Sequence, residues 1–112
     1  MLNQCIFCKI IHREMPSTII YEDDQVMAID DIYPKAPIHK LIIPKKHIMT
    51  INDLAESDNN LVGHIFQIAK KIAYDLHIAE KGYRVIMNCN REGGQAVYHL
   101  HLHLLGGKQM PW

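Results

Sequence analysis

The chain has no long apolar run, no excess of charge of either sign and few cysteines. Its longest apolar stretches span only a few residues, too short to cross a bilayer. The N-terminus lacks the basic, apolar and small-residue order of a secretory signal, so the expected location is cytoplasmic. Twelve Lys and Arg balance twelve Asp and Glu, which removes the basic footprint of a nucleic-acid or membrane-surface binder. Three cysteines in that compartment read as thiols or ligands rather than a disulfide framework. Repeats, low-complexity tracts and linkers are missing too, so 112 residues with 48% hydrophobic content describe one domain, 1–112, with a modest core. Lys45-Lys46 reads as a short solvated pair.

Histidine is what the chain does have, and three of its eight fall in one stretch. In Tyr98-His99-Leu100-His101-Leu102-His103-Leu104-Leu105, His and Leu alternate strictly, which is a strand pattern with chemically separated faces. One imidazole on a strand is ordinarily a satisfied structural residue. Three on one face beside a Gly-Gly turn are more than packing asks for, and imidazole is the side chain best suited to proton transfer near neutral pH.

The remaining elements follow from periodicity. Ile6 to His12 reads as a short helix ended by Met15-Pro16-Ser17. Thr18–Tyr21 and Val26–Ile29 read as a hairpin around Glu22-Asp23-Asp24, and His39–Ile43 as a strand between Pro37 and Pro44. Leu61, Ile65, Ile68, Ile72 and Leu76 recur at intervals of three and four and predict a long helix. Asp53, Ser57 or Asp58 is expected to cap its start and Gly82 to follow its end. Tyr83–Asn88 and Val97–Leu105 complete the set, making an α+β domain with a five-stranded antiparallel sheet, one long helix and one short.

Two chemistries fit the histidine row. Imidazoles at i and i+2 can share a zinc, so His99 with His101, or His101 with His103, forms a candidate pair in a metallohydrolase. All three on one ion is harder, because the Cα atoms of His99 and His103 are roughly 13 Å apart on an extended strand. Alternatively the middle imidazole is a nucleophile toward phosphorus, flanked by rings that orient it and handle phosphate oxygens. The preceding loop favours this. Gly93-Gly94 permits close backbone approach to phosphate, with Asn88 and Gln95 as side-chain donors.

These residues carry a resemblance. His99-Leu100-His101-Leu102-His103-Leu104-Leu105 resembles the His-x-His-x-His-x-x signature of the histidine triad superfamily. The likeness extends through Cys5-Ile6-Phe7-Cys8-Lys9-Ile10-Ile11, Asp30-Asp31-Ile32-Tyr33-Pro34-Lys35-Ala36-Pro37-Ile38-His39, Ile43-Pro44-Lys45-Lys46-His47-Ile48 and Gly93-Gly94-Gln95 to Gly106-Gly107. The branch it is most similar to comprises nucleotide-binding proteins that hydrolyse purine nucleoside phosphoramidates as homodimers, with one sheet running across both subunits.

The resemblance implies that His101 is the nucleophile forming a nucleotidyl-histidine, that His103 contacts phosphate, and that His39 and His99 complete the imidazole cluster. It implies that Asp31 accepts both ribose hydroxyls, that Ile6, Phe7, Ile10, Ile29 and Ile32 line the purine slot, and that Asn88, Gly94 and Gln95 cradle phosphate beside Ala96. Ala96 stands where some relatives place a serine, so leaving-group protonation must come from another donor or water. The chain ends at Met110-Pro111-Trp112, short of relatives whose tails reach the neighbouring subunit's site. Dinucleoside polyphosphate cleavage and a slow nucleotide-sensing module are the alternatives. No cofactor is expected for the chemistry itself.

Cys5-x-x-Cys8 alone reads as a redox pair, half a zinc site or two small buried residues. The resemblance implies structural zinc held by Cys5, Cys8, His47 and His99, which is a closed tetrahedral donor set. Cys89 reads as a buried or loop thiol. His12, His64 and His77 read as surface or helix-packing residues.

Overall fold

A computed structural model describes residues 4–112. Helix α1 (Ile6–Ile11) starts where the Cys5 Sγ accepts the Cys8 N–H at 3.3 Å. Strands β1 (Ile19–Glu22), β2 (Val26–Asp30) and β3 (Ile38–Pro44) follow, then helix α2 (Asn59–Asp75), β4 (Tyr83–Ile86) and β5 (Leu102–Gly106). They form one antiparallel sheet in the order β1-β2-β3-β5-β4, leaving β1 and β4 as its edges. The β1–β2 turn closes because Asp23 Oδ1 accepts the N–H groups of Gln25 and Val26, both at 2.8 Å.

Apolar residues cover both faces of the sheet. On one side Val26, Ala28, Ile42, Leu100, Leu102 and Leu104 pack with Ile65, Ile68 and Ile72 of α2, the stripe its periodicity predicts. On the other, Met27, Ile29, Leu41 and Ile43 pack with Phe7 and Ile10 of α1. Successive residues of β2 thus serve different layers, as the pleat requires. Ile65 and Leu104 are fully buried, so truncating either to Ala should cost about 2–5 kcal/mol.

The element bounds depart from expectation in physically instructive places. Regular β5 begins at Leu102 rather than Val97. Upstream, the Leu100 N–H turns to the Ile48 carbonyl at 2.7 Å. Regular β4 stops at Ile86, two residues short of Asn88. Two 3-10 turns, Ile51–Asp53 and Glu56–Asp58, precede α2. Asp58 is at its N-cap position, but its side chain accepts the Ala55 N–H and the Lys46 ammonium instead of capping the helix. The helix ends at Asp75, well before Gly82. His77 takes the left-handed conformation (φ 63°), and the Ile78 N–H reaches the Ala73 carbonyl at 3.0 Å. The lysine pair is not merely solvated, since Lys45 and Lys46 pair with Glu22 and Asp58.

Candidate active site and Cys/His cluster

The register of β3 and β5 brings histidines from distant sequence together. His39 pairs with Leu105 and Leu41 with His103, so His39 and His103 are diagonal neighbours on the α1 side of the sheet. Their rings meet at 2.9 Å, Nε2 of His39 to Nδ1 of His103. His101 lies beside them, its ring centroid 5.0 Å from those of His103 and Phe7. These groups open onto a cavity of about 850 Å³, within the range of small-molecule sites.

Hydrogen bonding decides the tautomers. A carbonyl oxygen only accepts, so Nδ1 of His101, 2.7 Å from the His99 carbonyl, carries the proton and Nε2 keeps its lone pair. The Lys35 N–H donates to Nδ1 of His39 at 3.0 Å, which puts the His39 proton on Nε2. That proton goes to Nδ1 of His103, so neutral His103 carries its own hydrogen on Nε2. Burial makes this neutral network the stable one. It is the main force lowering the pKa values of His39 and His101 and depressing that of His103 to about 4, against the opposing pull of the Asp31 carboxylate.

Asp31, just beyond β2, has its N–H on the His39 carbonyl at 3.1 Å and its Oδ1 on the Tyr33 N–H at 2.8 Å. Its side chain borders the cavity. Ile6, Phe7, Ile10, Ile29 and Ile32 supply an apolar end, and Asn88, Gly94 and Ala96 border it elsewhere. Asn88 Nδ2 donates to the Gly93 carbonyl at 2.7 Å, which folds the glycine loop over.

Two expected site residues lie elsewhere. Gln95 is buried away from the cavity. Its Nε2 donates to the Met49 and Val97 carbonyls, its Oε1 accepts the Asn90 N–H, and its own N–H goes to the Asn90 carbonyl, so it braces the loop and has no donor left for phosphate. His99 is wholly buried and turned from the cavity. Its Nε2–H donates to the Pro44 carbonyl at 2.7 Å, which aims the Nδ1 lone pair at Cys5, Cys8 and His47. The His99 ring therefore faces the thiols and not His101, so the candidate His99–His101 metal pair is not formed.

Cys5, Cys8, His47 and His99 instead bring four ligand atoms within 4.8 Å of one another. Nδ1 of His99 lies 3.3 Å from Cys5 Sγ, 3.6 Å from Cys8 Sγ and 3.1 Å from Nδ1 of His47, and Cys8 Sγ is 3.3 Å from that same His47 nitrogen. Edges of about 3.3–3.8 Å are what tetrahedral coordination at 2.0–2.3 Å demands. The charge logic agrees. Burial and the adjacent Cys5 thiol push Cys8 up to about 11, and burial takes His99 down to about 4. Cys8 therefore stays a thiol until a cation draws off its proton. The cluster could therefore hold a metal.

Asp31, His39 and His103 also converge, but here the donor chemistry disagrees. The Lys35 N–H occupies Nδ1 of His39, so a metal at Nε2 would require the anionic imidazolate. This group is a hydrogen-bonded chain.

Other neighbours of the cavity had no signal in sequence. Lys35, Arg84, Lys108 and Met110 border it, and Arg84 reaches the Pro111 carbonyl at 2.6 Å, holding the C-terminal segment alongside. His64, read from sequence as a surface or helix-packing residue, bonds Asp23 Oδ2 at 2.7 Å and ties α2 to the β1–β2 turn. Cys89 is a half-buried loop thiol.

A row of neutral imidazoles, one with a free nucleophilic nitrogen, over a nucleotide-sized cavity on an antiparallel α+β sheet defines a histidine triad protein, and the chain belongs to that family. The family model described as "Scavenger mRNA decapping enzyme C-term binding" matches residues 4–112. The purine nucleoside phosphoramidase of Escherichia coli (strain K12) is 53% identical over 110 residues, covering 98% of this chain and 92% of that protein. Among solved structures, a HIT family hydrolase from Legionella pneumophila Philadelphia 1 superposes with a TM-score of 0.96 at 53% identity, over 97% of each chain. A HIT family hydrolase from Clostridium thermocellum gives 0.95 at 56%, over 99% of this chain and 96% of that one.

Proposed function

We propose that this chain hydrolyses purine nucleoside 5′-phosphoramidates through a covalent nucleotidyl-His101 intermediate. The observation that carries the reading is the His101 tautomer, because a ring whose Nδ1–H is held by the His99 carbonyl presents Nε2 as a nucleophile with no proton to lose. The apolar end of the cavity receives the purine, Asp31 accepts the ribose hydroxyls, and the His103 Nε2–H faces a phosphate oxygen. Asn88 and the Gly94 backbone border the phosphate from the other side.

Nε2 of His101 attacks phosphorus and the P–N bond breaks. The amine departs with a proton taken from water or an imidazole N–H, since Ala96 offers no hydroxyl. The phosphorylated ring keeps its Nδ1–H on the His99 carbonyl and carries positive charge, which makes it a good leaving group. Water then attacks phosphorus, the P–Nε2 bond breaks, and nucleoside monophosphate and neutral His101 return.

The Cys5, Cys8, His47, His99 cluster holds zinc in this reading, fixing the segment that carries His101 without touching substrate. The domain acts as a cytoplasmic homodimer in which the sheet continues through a free edge strand. The zero formal charge suits a small-molecule substrate, with neither nucleic acid nor membrane as partner.

The test mixes protein with adenosine 5′-phosphoramidate, quenches in mild base and weighs the intact chain. A gain of one adenylyl group is expected in the wild type and none in His101→Ala, which should still bind AMP because base and ribose contacts persist. Near wild-type turnover by His101→Ala would overturn the mechanism. Adduct formation from a dinucleoside polyphosphate but not from the phosphoramidate would reassign the substrate.

A further inference from the structure

Asp31 stands closer to the reacting imidazoles than a ribose contact requires. Its Oδ2 lies 3.3 Å from Nε2 of His39, the nitrogen whose hydrogen is bonded to His103. A carboxylate serving only the two hydroxyls would do so equally well on the rim, clear of imidazole, whereas the side chains of Asp31 and His39 are 18% and 3% exposed.

We propose that Asp31 is also a positioning residue for the chemical step, holding His39 and His103 in the tautomers that present the His103 Nε2–H to the phosphoryl group. The inference rests on the phosphoramidase reading and deepens it. The Lys35 N–H fixes one nitrogen of His39, and the Asp31 carboxylate attracts the hydrogen on the other. The opposite arrangement, with the His39 lone pair facing Asp31, would set negative charge against a lone pair in a poorly solvated place.

Asp31 and Lys35 act on both rings of this pair, and His39 and His101 act on His103 as well. Asp31 favours positive charge on both rings, while Lys35 opposes it at both.

A substrate without the two ribose hydroxyls separates the two roles. Steady-state kcat and KM are measured for adenosine 5′-phosphoramidate and its 2′,3′-dideoxy counterpart, with wild type and Asp31→Asn. The amide oxygen of Asn can still accept the Tyr33 N–H. On the dideoxy substrate Asp31→Asn should lower kcat roughly tenfold with KM little changed, because the carboxylate then acts on the imidazoles that meet the phosphoryl group and not on the sugar. An unchanged kcat there would confine Asp31 to ribose and overturn the proposal.

Imidazole nitrogen NMR of wild type and Asp31→Asn supplies a readout that a purely ribose-binding role would not move. A His39 proton held on Nε2 in wild type and shared with Nδ1 in Asp31→Asn supports the arrangement, and the same tautomers in both proteins refute it. Wild-type protein that turns over neither substrate would defeat the phosphoramidase reading, and the NMR result would still decide the inference.

Discussion

Gly93→Ala should damage the active site far more than it damages the fold. A Cβ on Gly93 would stand 2.4 Å from the Cys89 carbonyl oxygen and 3.1 Å from the Cys89 nitrogen. Both are main-chain atoms, so no side chain can swing aside, and restoring ordinary contact requires the loop to open by about 1 Å. That opening moves two cavity neighbours, because Asn88 is bonded to the Gly93 carbonyl and Gly94 follows directly. A misplacement of about 1 Å at a substrate-positioning group costs on the order of 10²-fold, or about 2.7 kcal/mol of transition-state stabilisation. The loop is exposed and outside both apolar layers, so the melting temperature should fall by only a few degrees. The assay is kcat/KM for adenosine 5′-phosphoramidate beside a thermal melt. Gly63→Ala is the control: a Cβ there meets nothing within 4 Å on exposed α2, activity should stay level, and stability should rise by about 1 kcal/mol. A Gly93→Ala protein with kcat/KM within about twofold of wild type would show that the glycine loop does not position the substrate.

Cys5→Ser should reduce bound zinc from about one ion per subunit toward none and lower the melting temperature, since metal binding is linked to folding. Its activity should fall less than that of His101→Ala. Total loss of turnover in a folded, metal-free Cys5→Ser protein would make the metal catalytic, and elemental analysis with a melt and a rate assay decides the matter. Acid should also weaken the fold through the triad. With His103 at about 4 when folded and about 6.5 when unfolded, the unfolded chain binds the extra proton as pH falls from 6.5 toward 4, so stability present above 6.5 is lost across that window. Melts from pH 7.5 to 4.5 should show a shallower decline in His103→Asn than in wild type, and identical declines would exclude His103 as a contributor.

Much of this was legible in the chain because period and burial coincide. Leu100, Leu102 and Leu104 all enter the layer beneath α2, as strict alternation implies, and the stripe through Ile65, Ile68 and Ile72 marks the opposing helix face. The same alternation suggests that His99, His101 and His103 serve one site, and there it misleads. His99 lies in the irregular approach to β5, where the Pro44 carbonyl and two thiols take the ring. Gln95 was misread for a related reason, because a side-chain amide near glycines suits phosphate and loop bracing equally, and only tertiary carbonyls choose between them. The bonds from His64 to Asp23 and from Arg84 to Pro111 join residues distant in sequence, with no local pattern to announce them.

Residue 99 takes part in two sites with different portions of itself, its ring among the thiols and its carbonyl on Nδ1 of His101. Selection edits side chains one codon at a time, whereas every residue type brings the same carbonyl. The nucleophile therefore finds its acceptor in the main chain whatever side chain stands at 99, so long as the backbone from Val97 to His101 keeps its path. Of the three histidines that name the family, the first is the one that serves the nucleophile with its backbone rather than its ring.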